Sequence, residues 1–191
     1  MRWHPLIIGV ACLMASVFAS ASDLSEKLQS ADHVLLMRHA LAPGVGDPAN
    51  YTLEDCKTQR NLSDEGRKQA QAAGQWLKQQ GITSADVLSS AWCRCKDTAA
   101  LLGFGGITVE PALGSFFDEM HTAKAQNQKL EKFVANRLKT KANKALILVT
   151  HHVNIYEFTG ENIGSGDMVL AKVNANGKMI SHTLIPRSQQ R

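Results

Sequence analysis

Strand-like runs alternating with amphipathic helical segments predict an α/β sandwich for this 191-residue chain. Two short runs, HVLLMR (33–38) and ALILVT (145–150), are nearly all apolar and of strand length, as strands covered on both faces are. Between them apolar residues recur at helical spacing. Beyond them the chain closes with two further strand-like runs around an Asn174-Ala175-Asn176-Gly177 turn, which reads as a hairpin.

The elements follow in order. Arg2, the apolar residues 6–18 and the small-x-small triplet Ala19-Ser20-Ala21 have the form of an export signal, with cleavage expected after Ala21. The signal peptide is thus 1–21, and 22–191 form one domain. A lipid anchor on Cys12 is the alternative; Gly9 and the apolar run continuing past the cysteine argue against it. No stretch reaches the roughly 18 uninterrupted apolar residues of a membrane span. After the first strand, residues 42–60 hold Pro43, Gly44, Gly46, Pro48 and Asn50 and read as a long loop, a form often functional in a compact domain. Ser63 caps a helix that starts on Asp64-Glu65, carries Ala70, Ala73, Trp76 and Leu77 on one face, and stops at Gly81. Residues 87–89 are a short strand, 93–102 a helix closed by Gly103, and 107–109 another strand. Leu130, Phe133, Val134 and Leu138 mark a third helix. The glycine-rich stretch 160–167 follows no strand and reads as a surface loop rather than a phosphate loop.

Composition narrows the partners. The formal net charge is +4, from 21 basic and 17 acidic residues, and removal of Arg2 lowers it by one. The basic residues are dispersed, so nucleic acid is not indicated, although a few converging in a pocket would attract a small anion. Beyond the leader lie Cys56, Cys93 and Cys95. Export implies an oxidising compartment and a disulfide, in which Cys56 pairs with Cys93 or Cys95, because the latter two are too close in sequence to bridge easily. A zinc site from Cys93, Cys95 and a histidine is the metal alternative, weakened by the lack of a second cysteine pair. A nucleophilic cysteine is a further alternative, and the sequence has no signature loop around any of the three to support it.

Chemistry concentrates at the strand ends. The first strand ends in Arg38-His39 and the ALILVT strand in His151-His152; Arg60 follows the long loop, and Arg94 follows the strand at 87–89. Ligands of open α/β sheets bind beyond the carboxyl ends of strands. If the two long strands are parallel neighbours, two histidines and three arginines meet there. Arginine forks match phosphate oxygens, and clustered cations lower the pKa of a nearby histidine. A neutral His39 can then act as a covalent nucleophile.

At these residues the sequence resembles the histidine phosphatase superfamily, the group of phosphoglycerate mutases and acid phosphatases. The matching stretches are LMRHA (36–40), RNLSDEGRKQA (60–70), LSSAWCRCKDTA (88–99) and ILVTHHVNI (147–155). The resemblance implies a three-layer α/β/α sandwich with a mainly parallel sheet, phosphoglycerate mutase-like. It implies that His39 becomes phosphorylated and that Arg38, Arg60, Arg94 and His151 bind the phosphoryl oxygens. Neither metal nor cofactor is expected, since the cations and His151 supply the charge.

The departure is the proton donor. One branch of the family carries a glutamate in an L-x-E context after the third strand, where this chain has Leu113-Gly114-Ser115; the other carries an acid directly after the second histidine, where this chain has His152. Asp118 and Glu119 are the nearest carboxylates and the two candidates, with His152 as a weaker one. The expected activity is hydrolysis of a phosphomonoester, on a phosphorylated small molecule or envelope glycan, in the periplasm or outside the cell. The alternatives are a phosphotransferase or mutase and a non-catalytic receptor for a phosphorylated glycan or sugar.

Overall fold

The computed structural model describes residues 23–190; the predicted signal peptide and its cleavage point lie outside the described residues. Six strands form one sheet in the order β3-β2-β4-β1-β5-β6. They are β1 (His33–Arg38), β2 (Ala85–Ser89), β3 (Ile107–Val109), β4 (Ala145–Thr150), β5 (Met168–Val173) and β6 (Met179–Ile185). The first four in that order run parallel, and the terminal hairpin adds two antiparallel strands at one edge. The sheet is thus mixed with a parallel centre.

Alternation along the strands sets the layers. Leu35, Met37, Ile147 and Val149 point to one face. There they meet Leu24 and Leu28 of α1 (Asp23–Gln29), Ala73, Trp76 and Leu77 of α2 (Asp64–Gln79), and Cys95, Ala99 and Leu102 on and just beyond α3 (Cys93–Leu101). Val34, Leu36, Leu146 and Leu148 point to the other face, against Leu130, Val134 and Leu138 of α4 (Ala123–Thr140) and Ile155 and Phe158 of α5 (His152–Thr159). These central strands are buried on both sides, which is why their sequences read as unbroken apolar runs. The helices on both faces give the expected three-layer sandwich.

Local signals act as their chemistry dictates. The Ser63 side chain accepts from Gly66 N at 3.1 Å and caps α2. Gly81 beyond that helix has φ +82°, a left-handed conformation that suits glycine. α1 has no counterpart in the sequence reading, because seven residues with two buried leucines carry little periodicity. His152 is the first residue of α5.

The register positions the site. β1 and β4 pair in parallel with Arg38 opposite Thr150, so the next residues, His39 and His151, leave the sheet side by side. His39 N donates to Thr150 O at 2.9 Å, and Ser90 N, one residue past β2, donates to Val149 O at 3.0 Å. The carboxyl ends of β2, β4 and β1 therefore form one contiguous edge.

Candidate active site

His39 lies 2 % exposed at that edge, its ring centroid 5.6 Å from that of His151 with the planes at 69°. Its Nδ1 is 2.8 Å from the carbonyl oxygen of Ala40. A carbonyl only accepts, so the proton sits on Nδ1 and Nε2 keeps its lone pair. The pKa of His39 is depressed to about 3; burial is the largest cause, the Ala40 bond opposes it, and the charges of Arg94, Arg38 and Arg60 lower it further. The arginines thus act in the expected direction, and exclusion from water does more. His151 is also driven well below the ordinary value, first by burial and then by His39 and the three arginines.

All three predicted arginines line the same cleft as the two histidines, a space of about 620 Å³ including its open mouth. Arg38 donates from Nη1 to Ile163 O at 2.8 Å, so the glycine-rich loop after α5 buttresses a site residue. Arg60 donates from Nε to Gly46 O at 2.7 Å and from Nη1 to Ala42 O. Arg94, in the first turn of α3 and 3 % exposed, donates from Nη1 to Asp47 Oδ1 at 2.8 Å. The buried Nε atoms of Arg38 and Arg94 have no hydrogen-bond partner among the described residues. Three guanidinium groups lining one cleft beside a neutral imidazole suit an oxyanion.

Second-tier contacts fix this arrangement. His151 Nε2 is 2.8 Å from Ser90 Oγ, and its ring meets the Trp92 ring edge-on at 5.0 Å. Thr98 Oγ1 accepts from Ala40 N at 3.0 Å and donates to Arg94 O at 2.7 Å, tying the end of β1 to α3. Cys56 and Cys93 form a disulfide across Cα atoms 5.7 Å apart. Gln59 Oε1 accepts from Cys93 N at 2.9 Å, and both links fasten the long loop to the start of α3. The zinc alternative fails because the Cys93 sulfur is committed to the disulfide. Cys95 is free and buried, and burial raises its thiol to about 12, so a nucleophilic role is excluded too.

The two candidate donors separate. Both are exposed, but Asp118 lines the cleft, with Ser115, Phe117 and His152, whereas Glu119 precedes a short 3-10 turn at Met120–Thr122 and does not line it. His152 Nε2 is 2.7 Å from Asn162 Oδ1, and its ring stacks on Tyr156 at 6.1 Å. Sequence reasoning missed Asp47, Ser90 and Trp92 as site residues. Asp47 had only its place in a long loop to mark it; Ser90 and Trp92 lay inside the matching stretch around Arg94 without a chemical signal of their own.

A parallel-centred sheet with histidines ending two adjacent strands, ringed by arginines, defines the phosphoglycerate mutase-like class. The family model described as histidine phosphatase superfamily, branch 1, matches residues 34–146, more than half of the chain, and the protein belongs to that superfamily. Solved structures agree on the fold. The protein histidine phosphatase SixA complexed with tungstate is 17 % identical with a TM-score of 0.52, over 83 % of this chain and 99 % of that one. The product of open reading frame Rv3214 of Mycobacterium tuberculosis is 18 % identical at 0.54, over 80 % and 95 %. A phosphoserine phosphatase from Entamoeba histolytica, in complex with 3-phosphoglyceric acid, is 14 % identical at 0.55, over 80 % and 94 %. No curated protein matches the sequence significantly.

Proposed function

We propose that the protein is a phosphomonoesterase that works through a phosphohistidine on His39. The observation that carries this reading is the Nδ1-to-Ala40 bond, which leaves the Nε2 lone pair of a neutral ring beside Arg38, Arg60, Arg94 and His151. In the first step Nε2 attacks phosphorus and the ester P–O bond breaks, its electron pair leaving on oxygen. Arg38, Arg60, Arg94 and His151 bind the equatorial oxygens as their charge spreads. Asp118 gives its proton to the departing oxygen. In the second step a water attacks the phosphohistidine, its proton passes to the Asp118 carboxylate, and the P–N bond pair returns to Nε2. The fixed cations do the work of a metal, so chelation should leave the rate unchanged.

Family membership and the phosphatase descriptions of the structural relatives support hydrolysis. The Cys56–Cys93 disulfide and the leader-like segment 1–21 support work outside the cytoplasm, on a small phosphorylated molecule or an envelope glycan. Turnover of p-nitrophenyl phosphate by the wild type, reduced by at least about 10³-fold in His39→Ala, is the expected result. Acid quench should trap an acid-labile phosphoenzyme in the wild type alone. Tight phosphate binding without turnover would replace the enzyme with a receptor.

A further inference from the structure

Asp47 is an acid inside a cluster of cations whose proposed task is to receive an anion. Its side chain is 4 % exposed, and both oxygens are engaged. Oδ1 accepts from Arg60 N at 2.9 Å and from Arg94 Nη1 at 2.8 Å, and Oδ2 accepts from Trp92 Nε1 at 3.1 Å. These donors lie on two pieces of the chain: the end of the long loop, and the N-cap and first turn of α3. A negative charge here weakens anion binding by itself, and burying it costs folding energy that only its partners offset. Asp47 is also no proton donor. Burial works to raise its pKa, but the Arg94 and Arg60 bonds, the Arg94 charge and the Trp92 bond together hold it below the ordinary carboxylate value. Its two oxygens are committed to three N–H donors and face no leaving group.

Building on the phosphohistidine reading, we infer that Asp47 is a positioning residue. It aims the Arg94 guanidinium at the phosphoryl site and seats Trp92 against His151, so that the oxyanion site is assembled before substrate arrives. Arg94 Nη1 is held between Asp47 Oδ1 and Arg60 O, at 2.8 and 3.3 Å, while Nε carries no partner among the described residues. Trp92, fixed through its indole N–H, meets the His151 ring edge-on, with planes at 79°. One carboxylate thereby orients two of the groups that would bind phosphoryl oxygens, and orientation set in advance lowers the barrier rather than merely adding affinity.

Position and charge can be separated by two variants that keep a polar group in the buried slot. Asp47→Asn keeps an oxygen for Arg60 N and Arg94 but removes the charge and sets an amide NH2, which cannot accept, against Trp92 Nε1. Asp47→Glu keeps the charge but pushes the guanidinium away by a methylene. Calorimetric binding of vanadate is measured beside p-nitrophenyl phosphate turnover, each in wild-type and Arg94→Ala backgrounds. Positioning predicts that Asp47→Glu loses about tenfold or more in both readouts, that Asp47→Asn, which gives up the Trp92 bond and keeps the other two, loses less, and that the glutamate loss shrinks once Arg94 is gone. Wild-type behaviour of Asp47→Glu, a greater loss in Asp47→Asn than in Asp47→Glu, or an undiminished loss without Arg94 would each overturn the assignment. Wild-type protein that binds vanadate without turnover counts against hydrolysis alone, because binding still reads the placement of Arg94.

Discussion

Asp118 and Glu119 are neighbours in the chain, yet of the two only Asp118 lines the cleft. The difference should depend on how much protonation that group needs. With an alkyl phosphate, whose alkoxide leaves poorly, Asp118→Asn is expected to cost about 10²-fold or more in kcat. With p-nitrophenyl phosphate the same variant should lose far less, and Glu119→Gln should match wild type on both substrates. Equal behaviour of the two variants on the alkyl ester would remove Asp118 from the role. His39 brings a second consequence at this scale. Its pKa of about 3 lies below the ordinary 6.5, so between those values the unfolded chain holds a proton that the folded site refuses. Folding stability therefore falls as pH drops through that window, by roughly 1.4 kcal/mol per unit for one such group. His151 shifts in the same direction and steepens the fall. Urea melts at pH 7 and pH 5 should differ accordingly, and His39→Gln should flatten the dependence.

At the scale of elements, α2 and α3 approach so closely that Gly74 has no room for a side chain: a Cβ there would lie 2.2 Å from Leu102 O. Alanine is the better helix former by up to about 1 kcal/mol. Backbone crowding should outweigh that gain, and Gly74→Ala is expected to destabilise the fold by about 1–3 kcal/mol in equilibrium unfolding. Stabilisation instead would mean that the two helices separate freely. The disulfide works on the long loop and the start of α3. It closes a segment with a sequence separation of 37, for which loop entropy gives about 4 kcal/mol. Cys93→Ser should lower stability toward that extent and also weaken phosphate binding, since Arg60 and Arg94 stand on the two joined pieces. Loss of stability with unchanged phosphate affinity would confine the bridge to a structural role.

For the molecule as a whole, the cleft is open and its cations are held mainly by backbone carbonyls and one carboxylate. Inorganic phosphate bound there stabilises the native state alone, by about 2.7 kcal/mol at one hundred times its dissociation constant. A melting temperature that rises with phosphate in the wild type and not in an Arg38→Ala, Arg60→Ala double variant is the expected outcome. Much of this molecule was readable from its sequence. Continuous apolar runs specify strands buried on both faces, and Arg38, His39 and His151 stood out because they end such runs. The terminal hairpin, the α2 cap and the bond between Cys56 and one of the later cysteines were legible for equally local reasons. Only the tertiary structure decided that β1 and β4 are parallel neighbours, that Cys93 rather than Cys95 takes Cys56, that Asp118 rather than Glu119 reaches the cleft, and that Asp47 is buried among arginines. Periodicity and capping act over a few residues and leave a trace in composition. An acid in a polar loop looks the same whether water or a guanidinium surrounds it, and that choice is made by chain segments dozens of residues apart.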